Sequence, residues 1–127
     1  MVRFDGCEWD TAKSAENVHQ HGVRFEEACA ALDDPRRDDV DDWLHNAEER
    51  RIAALCLSPR GRVLFVVFTL RSEVTRLISA RAVGPAERNR YVRHAARYDA
   101  GAPVGAEDGQ RDGPSRPPRR RRPGHRR

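Results

Sequence analysis

The sequence predicts one α+β domain followed by a charged tail. Within residues 62–81, Val63 to Thr69 is an almost unbroken apolar, β-branched and aromatic run, which is typical of a buried β-strand, and Val74 to Ala82 is a shorter strand pattern interrupted by arginines. Two helical patterns precede this stretch and a third follows it. The composition changes sharply near Asp99, and a chain of 127 residues is one domain by its length. We therefore expect a domain over residues 1–98 and a separate tail over residues 99–127.

Three strands in the middle of the chain are predicted to form an antiparallel meander. Glu49 to Leu57 alternates between two faces, and a turn at Ser58 to Gly61 joins it to the next strand as a hairpin. Val63 to Thr69 is apolar at almost every position, which is typical of a central strand buried on both faces. After a turn at Leu70 to Glu73, the stretch from Val74 to Ala82 is the third strand.

The N-terminal part predicts a short strand and an αα-hairpin. Residues 3–9 form the strand, and Asp10 is a suitable N-cap for a helix that ends at His21, before Gly22. The second helix begins at Phe25, and its first turn is acidic, which suits the helix dipole. Its apolar residues recur at helical spacing, so one face of this helix is expected to be buried.

The first helix presents two different faces. Ala12, Ala15 and either Val18 or His19 are expected to face the core. The opposite stripe is usually solvated, but its cation, amide and imidazole also make it a candidate functional surface. The three residues of this stripe recur at i, i+4 and i+8 and are Lys13, Asn17 and His21.

An acidic segment, a final helix and the tail are the remaining parts of the chain. Residues 33–42 are densely acidic and without periodicity, which favours a solvated loop, with a docking surface for a basic partner as the alternative. Gly84 and Pro85 begin a final helix that runs to about Tyr98. The tail is rich in Arg, Pro and Gly and has almost nothing to bury. It should therefore be disordered and contribute only salt-dependent affinity for RNA.

The charge is divided along the chain. Residues 1–49 carry 5 Lys or Arg and 14 Asp or Glu, whereas residues 50–98 carry 11 and 2. Such a domain can hold an anionic polymer on one side and a different partner on the other, or its two halves can simply attract each other. Because the arginine fork matches phosphate oxygens, the basic half favours a phosphate-bearing partner.

Cysteine usage and hydropathy both bear on the compartment. Cys7, Cys29 and Cys56 are odd in number, far apart and outside any C-x-x-C pattern. They argue against a disulfide framework and a zinc site, and each is expected to be a buried apolar residue. No apolar run approaches the roughly 20 residues of a membrane span, and the N-terminus lacks a signal-peptide pattern. We expect a cytoplasmic protein without a metal ion or another cofactor.

Charged residues on the strands form the candidate site. Glu49 and Arg51 point the same way by alternation, and Arg71 stands at the end of the central strand beside them. Strict alternation places Arg76 and Arg81 on opposite faces of the third strand. These two arginines can share a site only if a bulge intervenes.

Several short motifs follow one another along the chain. They read F-x-x-x-x-W-D-x-x-K-x-x-x-N-x-x-x-H-G-V-x-F-E-E-A, E-x-R, G-R-V-L-F-V-V-F-T-x-R, R-L-I-S-A-R and E-R-x-x-Y. They fall on Phe4, Trp9, Asp10, Lys13, Asn17, His21, Gly22, Val23, Phe25 to Ala28, Glu49, Arg51, Gly61 to Thr69, Arg71, Arg76 to Arg81, Glu87, Arg88 and Tyr91. In order and spacing they resemble the BrnT family of bacterial type II toxins, over roughly residues 4–95. The chain departs from the family pattern at Arg24, Glu48 and Cys56, and its tail is an addition.

The resemblance implies a function and a partner. The family implies a RelE-like α+β fold and ribonuclease activity that stops translation. It also implies an antitoxin called BrnA, bound in a heterotetramer of two toxins and two antitoxins. None of these properties follows from composition alone.

A ribonuclease that works without a metal ion turns the RNA 2′-hydroxyl into the nucleophile. It needs a base near this hydroxyl, cations around the phosphate and a proton for the leaving oxygen. Glu49 or His21 is the candidate base or acid, and Lys13 is a supporting cation. The structural alternatives are a simple Glu49–Arg51 pair and a His21 that only interacts with the helix dipole. The candidate phosphate clamps are Arg51, Arg71 and Arg81.

A rival interpretation is a non-catalytic binding module. In that case the basic sheet and tail hold RNA, and the acidic half docks a protein. A helix-turn-helix repressor is less favoured, because the acidic αα-hairpin would repel DNA. Incubation with labelled RNA distinguishes cleavage from binding alone.

Overall fold

The computed structural model describes the backbone of residues 1–46 and 49–101 and the side chains of residues 1–40 and 51–101. Within these ranges three helices pack against one six-stranded sheet, so the predicted α+β class is confirmed. None of these helices has the length and apolarity needed to cross a membrane. The predicted tail lies outside the described residues from residue 102 onward. The elements are β1 (Val2–Phe4), β2 (Cys7–Trp9), α1 (Thr11–His21), α2 (Phe25–Ala31), β3 (Asp38–Asn46), β4 (Glu49–Leu57), β5 (Val63–Arg71), β6 (Val74–Ala82) and α3 (Pro85–Asp99).

The sheet is ordered β1-β2-β6-β5-β4-β3, and β4, β5 and β6 pair antiparallel in chain order. Their bounds agree with the predicted strands, except that β5 continues for two more residues. The predicted turn between β4 and β5 is present, because the Gly61 N–H donates to the Ser58 carbonyl at 2.9 Å. Gly61 has a φ of 86°, which glycine adopts without steric cost. Local turn chemistry therefore fixes this hairpin.

The prediction of a single N-terminal strand over residues 3–9 is wrong, because this segment forms a hairpin of β1 and β2. Asp5 and Gly6 have φ values of 51° and 90°, which suit a tight two-residue turn. β2 then pairs parallel with the first part of β6, where Glu8 lies opposite Arg76. The N-terminus thus extends the sheet beyond β6.

The prediction of a loop over residues 33–42 is wrong in its second half. Residues from Asp38 onward form β3, which pairs with β4 at the edge of the sheet. Aspartate has a low strand propensity, but pairing with β4 satisfies the backbone groups, and this tertiary gain prevails. Asp38 is also held by α3, because Arg90 and His94 contact its carboxylate at 3.0 and 3.6 Å.

The two faces of the sheet are covered differently. On one side, which we call the hairpin face, the main core contains Trp9 packed edge-to-face on Phe25, with ring centroids 5.7 Å apart, above the buried Phe68. On the other side, which we call the α3 face, a smaller cluster joins Leu55 to Tyr91. This cluster lies at one end of the strands. The rest of the α3 face is where charged side chains gather.

Asn17 is buried and packs against the sheet, contrary to the prediction that its stripe lies opposite the core. Its side-chain amide donates to the carbonyls of Val23 and Ala80 at 2.9 and 2.8 Å, and its Oδ1 accepts from the Ala80 N–H at 3.1 Å. β2 pairs with only the first part of β6, so the backbone of Ala80 needs other partners, which Asn17 supplies. The residues predicted to face the core are exposed instead, namely Ala12, Ala15, Val18 and His19.

Cys7 and Cys29 form a disulfide, contrary to the prediction from their spacing. Their Cα atoms are 6.3 Å apart, although 22 residues separate them in sequence, because β2 and α2 are neighbours in the fold. Cys56 takes no part in a disulfide and is buried, as predicted. Sequence spacing could not show which two cysteines the fold brings together.

Reduction of this disulfide should lower the free energy of unfolding by about 3 kcal/mol, because the unfolded chain regains the entropy of a loop of 22 residues. Urea denaturation with and without a thiol reductant measures this change. The Cys7→Ala, Cys29→Ala double variant is the control, since its stability should not respond to the reductant. If thiol titration shows that the disulfide of the wild type is reduced but the free energy of unfolding is unchanged, the prediction is contradicted.

Candidate functional site

A bulge in β6 decides which arginines share a face. The register between β5 and β6 shifts after the Val67–Ser79 pair, so Ile78 is an extra residue in β6. One extra residue reverses the alternation of all side chains beyond it. Arg76 and Arg81 therefore lie on the same face, which is the α3 face. Strict alternation alone would have separated them.

Arg81 lies beside the first turn of α3. Its two terminal nitrogens contact the two carboxylate oxygens of Glu87 at 3.1 and 3.0 Å, and its guanidinium lies 4.5 Å from the ring centroid of Phe65. Hydrogen bonds from Arg81 are the main cause that lowers the pKa of Glu87 below its ordinary value. Bidentate pairing and ring stacking together hold the guanidinium in one position.

Arg51 lies on the α3 face of β4, two residues before Ala53, which pairs with Val67. Its Nε is buried and has no hydrogen-bond partner among the described residues. On the neighbouring strand, the buried Oγ1 of Thr69 is also without a partner in the described part of the chain. A buried polar atom without a partner costs about 1–3 kcal/mol. Two such atoms on adjacent strands therefore call for a functional explanation.

Arg76 is the third arginine on this face. Its Nη1 lies 3.3 Å from Oε2 of Glu8, a nearly buried carboxylate on β2 that also contacts Arg3 at 3.5 Å. A glutamate from a flanking element thus holds each of Arg76 and Arg81. We refer to Arg51, Arg76 and Arg81 together as the arginine face.

The structure leaves three predicted residues outside this cluster. Lys13 and His21 are exposed on α1, which lies beside the open edge of β6. No hydrogen bond or ion pair links either of them to another described residue. Arg71 is exposed at the end of β5, opposite Val74 of β6.

Glu49 begins β4 opposite Asn46 of β3, and its side chain lies outside the described residues. That it shares a face with Arg51 stays a prediction from alternation. If the register between β4 and β5 is extended by three residues beyond the Ile52–Phe68 pair, the backbone of Glu49 lies opposite Arg71. The convergence of Glu49, Arg51 and Arg71 on one phosphate stays a prediction.

A buried tyrosine fastens α3 to the sheet. The Tyr91 hydroxyl donates to Asp34 at 2.5 Å, and the same carboxylate oxygen accepts from the Leu57 N–H at 2.9 Å. Burial, followed by the hydrogen bond to Asp34, raises the pKa of Tyr91, so this hydroxyl stays a protonated donor. Tyr91 lies one turn after Glu87, and its contact therefore helps to fix the carboxylate that holds Arg81.

Sequence reasoning missed four members of this region. Strict alternation put Arg76 on the face opposite Arg81 unless a bulge intervened, and no local signal marks the bulge. Glu8 carries no signal, and Thr69 lies in the motif series but was not among the predicted site residues. Glu87 could have been found, because it is one of two acids in the basic stretch 50–98. Among the side chains that the structure describes, no three His, Cys, Asp or Glu residues converge in a way that could hold a metal ion.

Arg81→Gln should return the pKa of Glu87 toward its ordinary value of 4.5. The folded pKa is lowered, so the pair contributes stability above pH 4.5 and loses it as the pH falls below that value. Carboxyl NMR titration of the wild type and the variant measures the shift. Glu27 is the control, because Arg62 lowers its pKa and it should not respond. A Glu87 pKa that stays lowered in the variant would contradict the assigned pair.

Comparisons with known proteins identify similar chains. The family model described as "Ribonuclease toxin, BrnT, of type II toxin-antitoxin system" matches residues 9–87, more than half of the chain. Among solved structures, the ribonuclease toxin BrnT of Brucella abortus is similar, with 22% sequence identity and a TM-score of 0.46. That match covers 62% of this chain and 96% of the other. No curated protein matches the chain.

Proposed function

This chain belongs to the BrnT family of ribonuclease toxins of type II toxin-antitoxin systems, and from that premise we propose that it cleaves RNA without a metal ion and so inhibits translation. The observation that carries the proposal is the position of Arg51 and Arg81 on one face of the sheet, where a buried donor of Arg51 has no partner among the described residues. Attack by a 2′-hydroxyl develops negative charge on the phosphate. Arginines that are already in position stabilise this charge without reorganisation.

The predicted residues take the following roles in this proposal. Glu49 removes the proton of the 2′-hydroxyl, and His21 is the alternative acid or base. Lys13 is a supporting cation that approaches from α1. Glu87 holds one clamp in position without contacting RNA. The phosphate clamps are Arg51, Arg71 and Arg81.

A type II toxin is neutralised by an antitoxin protein, and we propose a BrnA-like antitoxin in a heterotetramer of two toxins and two antitoxins. The charge polarisation supports this partner, since acidic side chains of an antitoxin could cover the arginine face. We further propose a RelE-like arrangement of the domain and a cytoplasmic site of action, where the RNA substrate is translated.

Expression of the chain alone should arrest growth, and the purified protein should cut labelled RNA in the presence of EDTA. Co-expression of a BrnA-like antitoxin should restore growth. RNA that is retarded in a gel but not cut would favour the non-catalytic binding module instead. Harmless expression at a high level would contradict the toxin assignment for this chain.

A further inference from the structure

The Arg76 side chain has hydrogen-bonding capacity that the described protein does not use. Its two side-chain hydrogen bonds, to Glu8 and to the Met1 sulfur, both use Nη1. A guanidinium has five N–H donors, so Nη2 and Nε remain without a described partner. Arg81 differs, because Glu87 engages both of its terminal nitrogens.

Glu8 fixes Arg76 without neutralising its surroundings. This carboxylate is 7% exposed and lies between two arginines, with Arg3 at 3.5 Å and Arg76 at 3.3 Å. Two guanidiniums around one carboxylate leave a net positive charge. Such a cluster attracts an anion, and the arginine fork matches the oxygens of a phosphate.

The neighbours of Arg76 place this charge beside the proposed cleavage site. Arg76 pairs across the strands with Thr69, whose buried hydroxyl has no partner among the described residues. Arg51 lies on the same face of β4, two strands from β6. The usual strand spacing puts their backbones about 10 Å apart, so two long side chains there can hold neighbouring groups of one extended chain.

We propose that Arg76 and Thr69 form a second phosphate subsite, which binds the backbone phosphate of single-stranded RNA next to the one held by Arg51. This inference rests on the proposed function. The subsite reads the backbone and not the bases, so it contributes affinity without sequence preference. The bulge at Ile78 creates it, because without that extra residue Arg76 would face away from the site.

Binding of a 2′-O-methyl oligonucleotide of about eight nucleotides tests the subsite without any cleavage, within the usual range of single-strand site sizes. Single phosphates are replaced in turn by neutral methylphosphonates. Replacement at one position should weaken binding to the wild type about tenfold but leave the affinity of the Arg76→Gln variant unchanged. The Arg76→Gln variant should also lose about one unit of the slope of log affinity against log salt. If the phosphate replacement and Arg76→Gln reduce the affinity independently at every position, so that their fold-losses multiply, the proposal is overturned.

Arg60→Gln is the matched control, because Arg60 is 69% exposed in the turn before β5 and contacts Glu27 of α2 at 3.9 Å, away from the arginine face. It should bind like the wild type, and an equal loss in both variants would overturn the subsite. Thr69→Val removes only this hydroxyl, so its melting temperature should equal or exceed that of the wild type while it binds about threefold more weakly. Wild-type affinity of a folded Thr69→Val would overturn the role of this hydroxyl.

Cleavage of unmodified RNA is measured separately. A protein that shows the position-specific coupling but cuts no RNA would overturn the proposed ribonuclease function and leave the phosphate subsite standing. A protein that cuts RNA without the coupling would overturn the subsite alone.

Discussion

Glu49→Gln and Arg51→Ala should each reduce RNA cleavage by at least about 10², the range expected for loss of a positioned base or of a donor to the transition state. Arg51 is the better supported of the two, because its Nε is buried and has no hydrogen-bond partner in the described part of the chain. The free energy of unfolding should change by less than about 1 kcal/mol, since neither variant opens a cavity in the core. Single-turnover cleavage and thermal melts on the same samples measure both effects.

The matched control is Arg60→Ala, which removes an arginine that is 69% exposed in the turn before β5. It should leave both cleavage and stability close to wild type. If Glu49→Gln or Arg51→Ala melts at a lower temperature yet retains full cleavage per folded molecule, the two residues form a structural pair. The catalytic assignment would then move to Lys13 and His21.

Asn17→Ala should lower the free energy of unfolding by about 3–5 kcal/mol, because it removes three buried hydrogen bonds and leaves the backbone groups of Val23 and Ala80 unpaired. A domain of this size has a total stability of about 5–15 kcal/mol, so the variant should be close to unfolding. Urea denaturation of the wild type and the variant gives the difference.

The neighbouring Glu16→Ala is the control for this prediction. Glu16 lies on the exposed side of α1 and only accepts a long hydrogen bond from Gln20 at 3.4 Å, so its loss should cost little. A loss below about 1 kcal/mol in Asn17→Ala would contradict the assigned role. In that case the packing of α1 against the edge of β6 would not depend on the side-chain amide of Asn17.

The sequence by itself determined the elements whose signals are local. Asp10 accepts a hydrogen bond from the Ala12 N–H at 3.0 Å as the predicted N-cap, and Gly22 ends α1 with a φ of 70°. Pro85 begins α3, and the turn at Ser58 closes the hairpin. Each of these signals acts over a few residues, so its outcome hardly depends on the rest of the chain. The motif series likewise indicated the family, since order and spacing are sequence properties.

Only the tertiary structure decided which side chains meet. The bulge at Ile78 brings Arg76 and Arg81 to one face, and Asn17 is buried because β2 leaves part of β6 unpaired. The same holds for β3 and for the disulfide between Cys7 and Cys29, which lie 22 residues apart. The physical reason is that register, edge pairing and cross-linking are settled between distant segments. Their free energy comes from partners that no local window of sequence contains.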